Sequence, residues 1–152
     1  MKILIVEDNK NKLTKLKEVI QEFIQGTTQI IDLQIEEANS FTSGVRKINH
    51  EVWDLIILDM SLPTYDITHG ETGGDKKPIA GKEIMRRMLH RNILIPVIIV
   101  TQFETFGENK LTLELLNKEF EEEYKTIWRG TVFYEGDRWK GDFKQILQNI
   151  LL

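Results

Sequence analysis

The sequence contains no cysteine, so neither a disulfide framework nor thiolate chemistry is available to it. It also lacks an apolar run that approaches the length of a bilayer span. Positive charge is not in excess: the formal net charge is −4, whereas nucleic-acid surfaces normally carry a basic patch or stripe. We therefore expect a cytoplasmic protein with neither a membrane nor a nucleic acid as its partner.

Length and composition indicate a single globular domain. The chain has 152 residues, enough to bury a core without disulfides or metal ions as staples. Hydrophobic residues make up 41% and charged residues 29% of it, which is typical of globular domains. We expect one domain over residues 1–152.

Three unbroken aliphatic runs predict strands that are buried on both faces of a parallel sheet. They are Ile3–Val6, Leu55–Leu58 and Val97–Val100. Two weaker patterns predict further strands, an alternation from Ile31 to Ile35 and a run from Thr131 to Tyr134. Helical spacing follows each strand, so five strands alternate with five helices. This alternation predicts an α/β fold with a doubly wound, five-stranded parallel sheet.

Helices and one long loop connect the predicted strands. In the first helix, from Leu13, we expect the apolar residues on one face and the lysines, Lys12 among them, on the outside. Ser40 is placed to cap the second helix. Segment Thr64–Ala80 has no periodicity and much glycine, which indicates a long loop of the kind that is often functional. The fourth helix is predicted from Leu113 through Ile127.

Polar side chains follow three of the predicted strands. Glu7 and Asp8 come after the first, Asp59 after the third and Thr101 after the fourth. Because the carboxyl ends of parallel strands meet at one edge of a sheet, these groups are expected to lie together. Crowded carboxylates suit Mg²⁺, and a carboxylate left free can attack phosphorus. The sequence therefore predicts a metal-assisted phosphoryl acceptor with Asp59 as nucleophile and Thr101 as a hydrogen-bond donor to the phosphoryl group.

These residues give the chain a family resemblance: it resembles the response regulator receiver domain of two-component signalling. Four segments match that family, and the similarity covers nearly the whole chain. They are Ile3–Asn9 with the acidic pair, Asp54–Pro63 around the phosphorylated aspartate, Gly81–Ile84 at the start of the third helix, and Ile95–Thr101. The resemblance implies a flavodoxin-like receiver fold with strand order 2-1-3-4-5.

The resemblance also implies a role for each residue of the site. Glu7 and Asp8 would hold Mg²⁺, directly or through water. Asp59 would ligate the same ion and accept the phosphoryl group, and the Ser61 backbone carbonyl would be a further ligand. Thr101 would move toward the phosphate. The implied phosphate source is a histidine kinase or a phosphotransfer protein.

Receivers of this family signal through a face made of the fourth helix, fifth strand and fifth helix. Tyr134 is the candidate switch aromatic on that strand. Phe103, Phe106, Tyr134 and Trp139 are candidates for the surface that contacts a downstream protein partner, because aromatic residues are enriched in interface cores as well as in domain cores.

One departure from the family concerns its lysine. The family carries a lysine, usually followed by proline, shortly after the aromatic of the fifth strand, and it pairs with the phosphoryl group. Here Tyr134 is followed by Glu135-Gly136-Asp137-Arg138-Trp139-Lys140, which contains no Lys-Pro. Arg138 or Lys140 could replace that cation, as could Lys76 or Lys77 of the long loop.

The main expectation is a stand-alone response regulator receiver that accepts a phosphoryl group in a Mg²⁺-dependent phosphorelay and signals by protein contact. It would not be an enzyme, beyond self-catalysed phosphotransfer and autodephosphorylation. The alternative is an unphosphorylated pseudo-receiver that acts as an interaction module, which the missing lysine favours and the intact acids oppose. A phosphohydrolase of the haloacid dehalogenase type would require a second acid two residues after the nucleophile, where Ser61 stands.

Overall fold

The computed structural model describes residues 1–27, 32–68, 72–108 and 111–152. Its centre is a sheet of five parallel strands in the order β2-β1-β3-β4-β5. The strands are β1 Lys2–Val6, β2 Gln34–Ala38, β3 Leu55–Leu58, β4 Val97–Thr101 and β5 Trp128–Phe133. The predicted α/β architecture and the predicted strand order are both confirmed.

Five helices alternate with these strands. They are α1 Lys10–Gln25, α2 Phe41–His50, α3 Ala80–His90, α4 Leu113–Glu123 and α5 Arg138–Leu151. Three of them begin at polar caps, among them α4, where the Thr112 side chain accepts the Leu115 backbone N–H at 3.2 Å. The Asn9 side chain accepts the Lys12 backbone N–H at 3.0 Å, and Ser40 forms a reciprocal capping box with Ser43. The predicted cap at Ser40 is confirmed.

The sheet separates two hydrophobic cores. Successive side chains of a strand point to opposite faces, so Leu4 and Val6 enter one core and Ile3 and Ile5 enter the other. The first core is completed by α2, α3 and α4, and the second by α1 and α5. Because both faces are covered, the strands β1, β3 and β4 are apolar almost throughout, as the sequence pattern indicated.

Strand register brings the ends of β1, β3 and β4 to one edge of the sheet. Val6 pairs with Leu58, and Leu58 pairs with Ile99. The Asp59 backbone N–H still donates to the Val6 carbonyl at 3.0 Å, so the chain keeps its strand course just past β3. Residues that directly follow these strands are therefore neighbours.

The predicted loop Thr64–Ala80 contains more structure than its sequence indicated. Leu62–Pro63 and Lys76–Lys77 form a short antiparallel ladder, and Tyr65 N–H extends it by donating to the Gly73 carbonyl at 2.8 Å. Gly73 and Gly74 have φ of 82° and 74°, values that glycine adopts without strain. Of the predicted loop, His69, Gly70 and Glu71 lie outside the described residues.

Three other boundaries differ from the prediction. The second strand was predicted from Ile31 to Ile35, and the structure has it as β2 from Gln34 to Ala38. Ile31 itself lies outside the described residues. Helix α4 ends at Glu123, with Tyr124 as its cap, so Ile127 lies beyond the helix. Strand β5 spans Trp128–Phe133 rather than Thr131 to Tyr134. Within the described ranges, no helix is both long enough and apolar enough to cross a bilayer.

Candidate functional site

Three carboxylates converge where β1 and β3 end. One carboxylate oxygen from each of Glu7, Asp8 and Asp59 lies within 4.8 Å of the other two. Glu7 and Asp59 are buried, with 1% and 6% of their surface exposed, while Asp8 is half-buried. The structure therefore brings together the three acids that the sequence placed at this edge, with Asp8 on the solvent side.

Backbone hydrogen bonds orient the two buried acids. Glu7 Oε2 accepts the N–H of Asp8 at 2.9 Å and of Asn9 at 3.0 Å. Asp59 Oδ1 accepts the Met60 N–H at 2.8 Å. These donors belong to the turns that follow the strands, so the fold itself fixes the direction of both carboxylates. Such preorganisation favours a site that binds charge with little rearrangement.

The expectation that Lys12 lies on the outside of α1 is wrong, because this side chain is buried with 2% of its surface exposed. Its Nζ forms an ion pair with Glu7 Oε1 and lies 3.4 Å from Asp59 Oδ1. It also donates a hydrogen bond to the Val100 carbonyl at 2.8 Å. The site therefore contains a cation that the sequence interpretation missed.

A sequence signal for the burial of Lys12 does exist. Lys12, Leu16 and Val19 follow one another at intervals of four and three residues, the spacing of a single helix face, and all three are buried. Lysines that border the apolar face of a helix usually extend into solvent, so helical spacing alone predicts an exposed side chain for Lys12. Only the acids at the ends of β1 and β3 distinguish this lysine from its neighbours.

Burial dominates the electrostatics of the two inner acids. It raises the pKa of Glu7 to about 7; the charge of Asp59 acts in the same direction, and the Lys12 ammonium opposes both. Burial likewise raises the pKa of Asp59, with Lys12 as the largest opposing influence. The ionised form of either carboxylate is therefore stabilised at this site mainly by the nearby ammonium of Lys12.

Thr101 and Tyr134 lie at the neighbouring strand ends. Thr101 is fully buried at the end of β4, and its hydroxyl oxygen accepts the Phe103 N–H at 3.4 Å. Its carbonyl accepts the Tyr134 N–H at 2.7 Å, which joins β4 to the residue after β5. The Tyr134 ring packs on Trp139 of α5 with centroids 4.7 Å apart, on the side of the α1–α5 core. The switch roles of both residues remain predictions.

Two further predictions concern Ser61 and the aromatic residues. Ser61 is buried two residues after Asp59, and its carbonyl as a metal ligand remains a prediction. The aromatics proposed as a partner surface separate by burial. Phe106 and Trp139 are core residues with 4% and 3% exposed, whereas 41% of Phe103 is exposed. Burial of the first two fits a packing role rather than a contact surface.

Four cations were considered as substitutes for the family lysine, and the contacts that the structure gives them are with groups other than the three acids. They are Lys76, Lys77, Arg138 and Lys140. Lys77 Nζ lies 3.3 Å from Glu83 Oε2 and 4.7 Å from the centre of the Phe41 ring. Lys76 Nζ lies 5.9 Å from the Phe103 ring centre. Lys140 lines a surface groove with Glu18 and Glu22 of α1, and Arg138 is exposed as the first residue of α5.

The donor set fits Mg²⁺. The ion is usually held by one or two carboxylates, with waters completing an octahedron, and all three acids present oxygen atoms within a span of 4.8 Å. Asp8, at the solvent side, also lines an open groove along α1. Asp8 and Asp59 are the best placed direct ligands, because both oxygens of Glu7 already have partners.

Comparison with known proteins shows the family of this chain. The chain is 32% identical to the Detocs response regulatory protein DtcB of Enterobacter cloacae over 148 residues. This matched region covers 93% of this chain and 95% of that protein. The chain belongs to the response regulator receiver family. No family model matches this receiver. An uncharacterized protein of Sinorhizobium fredii, y4jR, is also 32% identical, over 157 residues that cover 100% of this chain and 97% of that protein.

Solved structures show the same receiver fold. The signal receiver domain of an HD domain-containing protein from Pseudomonas fluorescens Pf-5 superposes with a TM-score of 0.64 at 16% identity, covering 99% of this chain and 93% of that one. The receiver domain of a sensor histidine kinase from Pseudomonas aeruginosa PAO1 superposes with a TM-score of 0.60 at 16% identity, covering 98% and 95%. That second structure has a magnesium ion coordinated in its active site cleft.

Proposed function

We propose that this receiver accepts a phosphoryl group on Asp59 in a Mg²⁺-dependent step of a phosphorelay. The observation that carries the proposal is the convergence of Asp59 with Glu7 and Asp8 within 4.8 Å at the carboxyl edge of the sheet. An unphosphorylated interaction module has no need for three carboxylates in a partly buried cluster, where their mutual repulsion is costly. The same cluster supports a chemical role better than a scaffold role.

The proposed step is transfer from a phosphohistidine of a histidine kinase or phosphotransfer protein. A carboxylate oxygen of Asp59 attacks phosphorus and forms the O–P bond of an acyl phosphate. The P–N bond breaks, and its electron pair stays on the histidine nitrogen. The ring leaves as neutral imidazole because its other nitrogen carries the proton. The receiver is then both acceptor and catalyst of its own modification, and no separate substrate is turned over.

Mg²⁺ would be held by Asp8, Asp59 and the Ser61 carbonyl, with Glu7 beside them. When bound, it neutralises charge on the phosphoryl oxygens during transfer. The residues of the chain would orient the nucleophile and bind the phosphoryl group. The Met60 backbone N–H orients the Asp59 carboxylate, and the hydroxyl of Thr101, at the end of the adjacent strand, would donate to a phosphoryl oxygen. The magnesium-bound receiver of Pseudomonas aeruginosa supports this assignment by analogy.

Output would pass along β4 to the face formed by α4, β5 and α5. A movement of Thr101 toward the phosphoryl group displaces the carbonyl that accepts the Tyr134 N–H at 2.7 Å. Tyr134 in turn packs on Trp139 of α5. This chain of contacts connects the site to the helix that a downstream protein partner would contact. Signalling by protein contact is therefore the proposed output.

The test is phosphorylation of the full chain by phosphoramidate with Mg²⁺, followed by intact-mass measurement and borohydride reduction to locate the acyl phosphate. We expect one phosphoryl group on Asp59, none in Asp59→Asn, and none without Mg²⁺. Asp142→Asn, an exposed aspartate of α5, is the matched control and should be labelled like the wild type. Label retained in Asp59→Asn would contradict the proposal, and a wild type that takes no label would favour the interaction module.

A further inference from the structure

Lys12, on the first turn of α1, is buried, and the groups that its ammonium contacts lie outside that helix. Lys12 is the third residue of α1, and a positive charge there opposes the helix dipole, which favours anions near the N-terminus. Burying an ammonium group also costs free energy unless strong partners compensate. The partners that hold Lys12 all come from the acidic site or from the strand beside it.

The position of the ammonium group relative to Asp59 is the central observation. Lys12 Nζ lies 3.4 Å from Asp59 Oδ1, so any group esterified to this carboxylate comes within reach of it. Its hydrogen bond to the Val100 carbonyl places it toward β4, and the Tyr134 ring centre is 5.6 Å away. The ammonium therefore reaches from α1 into the space between the ends of β3, β4 and β5.

The charge of a phosphorylated site also requires this cation. In the acyl phosphate, the phosphoryl group carries roughly two negative charges in place of the single charge of the Asp59 carboxylate, next to Glu7 and Asp8. One divalent ion and one ammonium then face about four negative charges, so loss of the ammonium would leave a still larger excess of negative charge. Lysine is a common ligand of phosphate oxygens, because its ammonium carries three donors on a flexible stem. Because Nζ already lies 3.4 Å from Asp59 Oδ1, a phosphoryl oxygen on this residue is within its reach.

We propose that Lys12 is the phosphoryl-binding cation of this receiver and supplies from α1 the charge that is missing after β5. Its ammonium donates to a phosphoryl oxygen during transfer and in the acyl phosphate. This inference rests on the proposed function of Asp59 and adds a catalytic residue to it.

The test compares two ligands on the full chain by amide NMR: Mg²⁺ alone, and beryllofluoride with Mg²⁺ as a mimic of the phosphoryl group. In Lys12→Met we expect beryllofluoride affinity to fall by about 100-fold, comparable to the loss in kcat when one oxyanion-hole donor is removed. Mg²⁺ affinity should be unchanged or higher, because a like charge has left the vicinity of the metal ligands. A general loss of structure would lower the affinity for both ligands together.

Matched variants separate the site lysine from other lysines. Lys15→Met removes an exposed lysine from the same helix and should leave both affinities unchanged. The pair Lys76→Ala with Lys77→Ala should do the same, because the Lys77 ammonium pairs with Glu83. Lys12→Gln serves if Lys12→Met unfolds, since the amide still donates to Glu7 or Val100 but carries no charge. We expect the same split between the two ligands.

Each outcome decides the question. Loss of beryllofluoride binding with Mg²⁺ binding retained supports the role of Lys12. An equal loss of affinity for Mg²⁺ and for beryllofluoride identifies Lys12 as a structural residue and overturns the inference. Unchanged binding of both also overturns it, while phosphorylation of Asp59 stands. A wild type that binds Mg²⁺ but gives no response to beryllofluoride overturns the inference and the proposed function together.

Discussion

At the scale of single residues, Glu7 sets the charge state of the site. Its carboxylate is almost fully buried, and burial raises its pKa to about 7 from an ordinary value of 4.5. In the unfolded chain Glu7 loses its proton near the ordinary value, whereas in the folded chain it keeps the proton up to near neutrality. Between these two values the folded state binds more protons than the unfolded state.

This difference predicts how stability changes with pH in the absence of metal. Stability contributed by the protonated Glu7 is fully present below about 4.5 and is lost as pH rises through about 7. We expect Glu7 to lower the free energy of unfolding by about 3 kcal/mol across that window. Urea unfolding of the metal-free protein at a series of pH values measures it.

Glu7→Gln is the control for this prediction, because glutamine mimics the protonated side chain at every pH. The slope of stability against pH should be smaller in Glu7→Gln than in the wild type. Asp59 also has a raised pKa and contributes in the same direction, so the difference between the two slopes is the quantity to compare. Identical slopes would show that Glu7 titrates in the folded protein as it does in the unfolded chain.

Sequence reasoning at this scale succeeded for the acids and failed for the lysine. Glu7, Asp8 and Asp59 could be brought together because strand ends of a parallel sheet share one edge, whatever the details of packing. Lys12 could not, because its direction depends on the rotation of α1 about its axis. That rotation is fixed by the Asn9 cap and by packing against the sheet, which a helical spacing describes only to within one residue.

At the scale of secondary structure, the start of α3 packs directly on the segment that carries Asp59. The Gly81 N–H donates to the Met60 carbonyl at 3.0 Å. A Cβ at Gly81 would lie 2.8 Å from the Asp59 carbonyl oxygen and 3.2 Å from Met60 Cα, both backbone atoms that cannot move aside cheaply. The absence of a side chain at Gly81 is what allows the helix to approach the site.

We therefore predict that Gly81→Ala lowers the free energy of unfolding by about 1–3 kcal/mol, the range typical of overpacking. It should also slow phosphorylation of Asp59, because α3 and the segment around Met60 must separate. Gly141→Ala is the matched control, since a Cβ there has no atom within 4 Å. That variant should gain about 0.5–1 kcal/mol from helix propensity. Equal effects of the two substitutions in urea unfolding would rule out the packing explanation.

The elements themselves were predictable to different degrees. The three aliphatic strands were identified almost to the residue, because strands covered on both faces must be apolar throughout. The ladder between Leu62–Pro63 and Lys76–Lys77 was not, because two-residue strands leave no periodicity to detect. The start of β5 at Trp128 was missed for a related reason. Arg129 and Gly130 break the apolar pattern there, and the pairing with β4 shifts register beside them.

At the scale of the whole molecule, the site joins the two halves of the fold. Acids at the ends of β1 and β3, with Lys12 from α1, occupy the edge where the core of α1 and α5 meets the core of α2, α3 and α4. A ligand bound at this edge contacts only the folded arrangement, since the unfolded chain does not assemble the three acids. Binding there should therefore stabilise the entire domain.

We predict that Mg²⁺ raises the free energy of unfolding by about 2.7 kcal/mol at a concentration 100 times its Kd. Thermal unfolding with and without Mg²⁺ measures the effect as a rise in Tm. Asp8→Asn should reduce the rise, because it removes the most accessible of the three ligands. Glu121→Gln, an exposed acid of α4, should leave it intact. A rise of the same size in Asp8→Asn would mean that the ion stabilises the chain from another location.

The location of the Lys12 ammonium has a consequence for how receiver sequences are sorted. An alignment inspected only at the residues after β5 finds Glu135 and Gly136, and would group this chain with receivers that have lost their cation. Here the ammonium of Lys12 lies 3.4 Å from the carboxylate of Asp59, in an alignment column that belongs to a helix. Sorting such sequences by what surrounds that aspartate in space, and not by fixed columns, would return chains of this kind to the set of candidate phosphoacceptors.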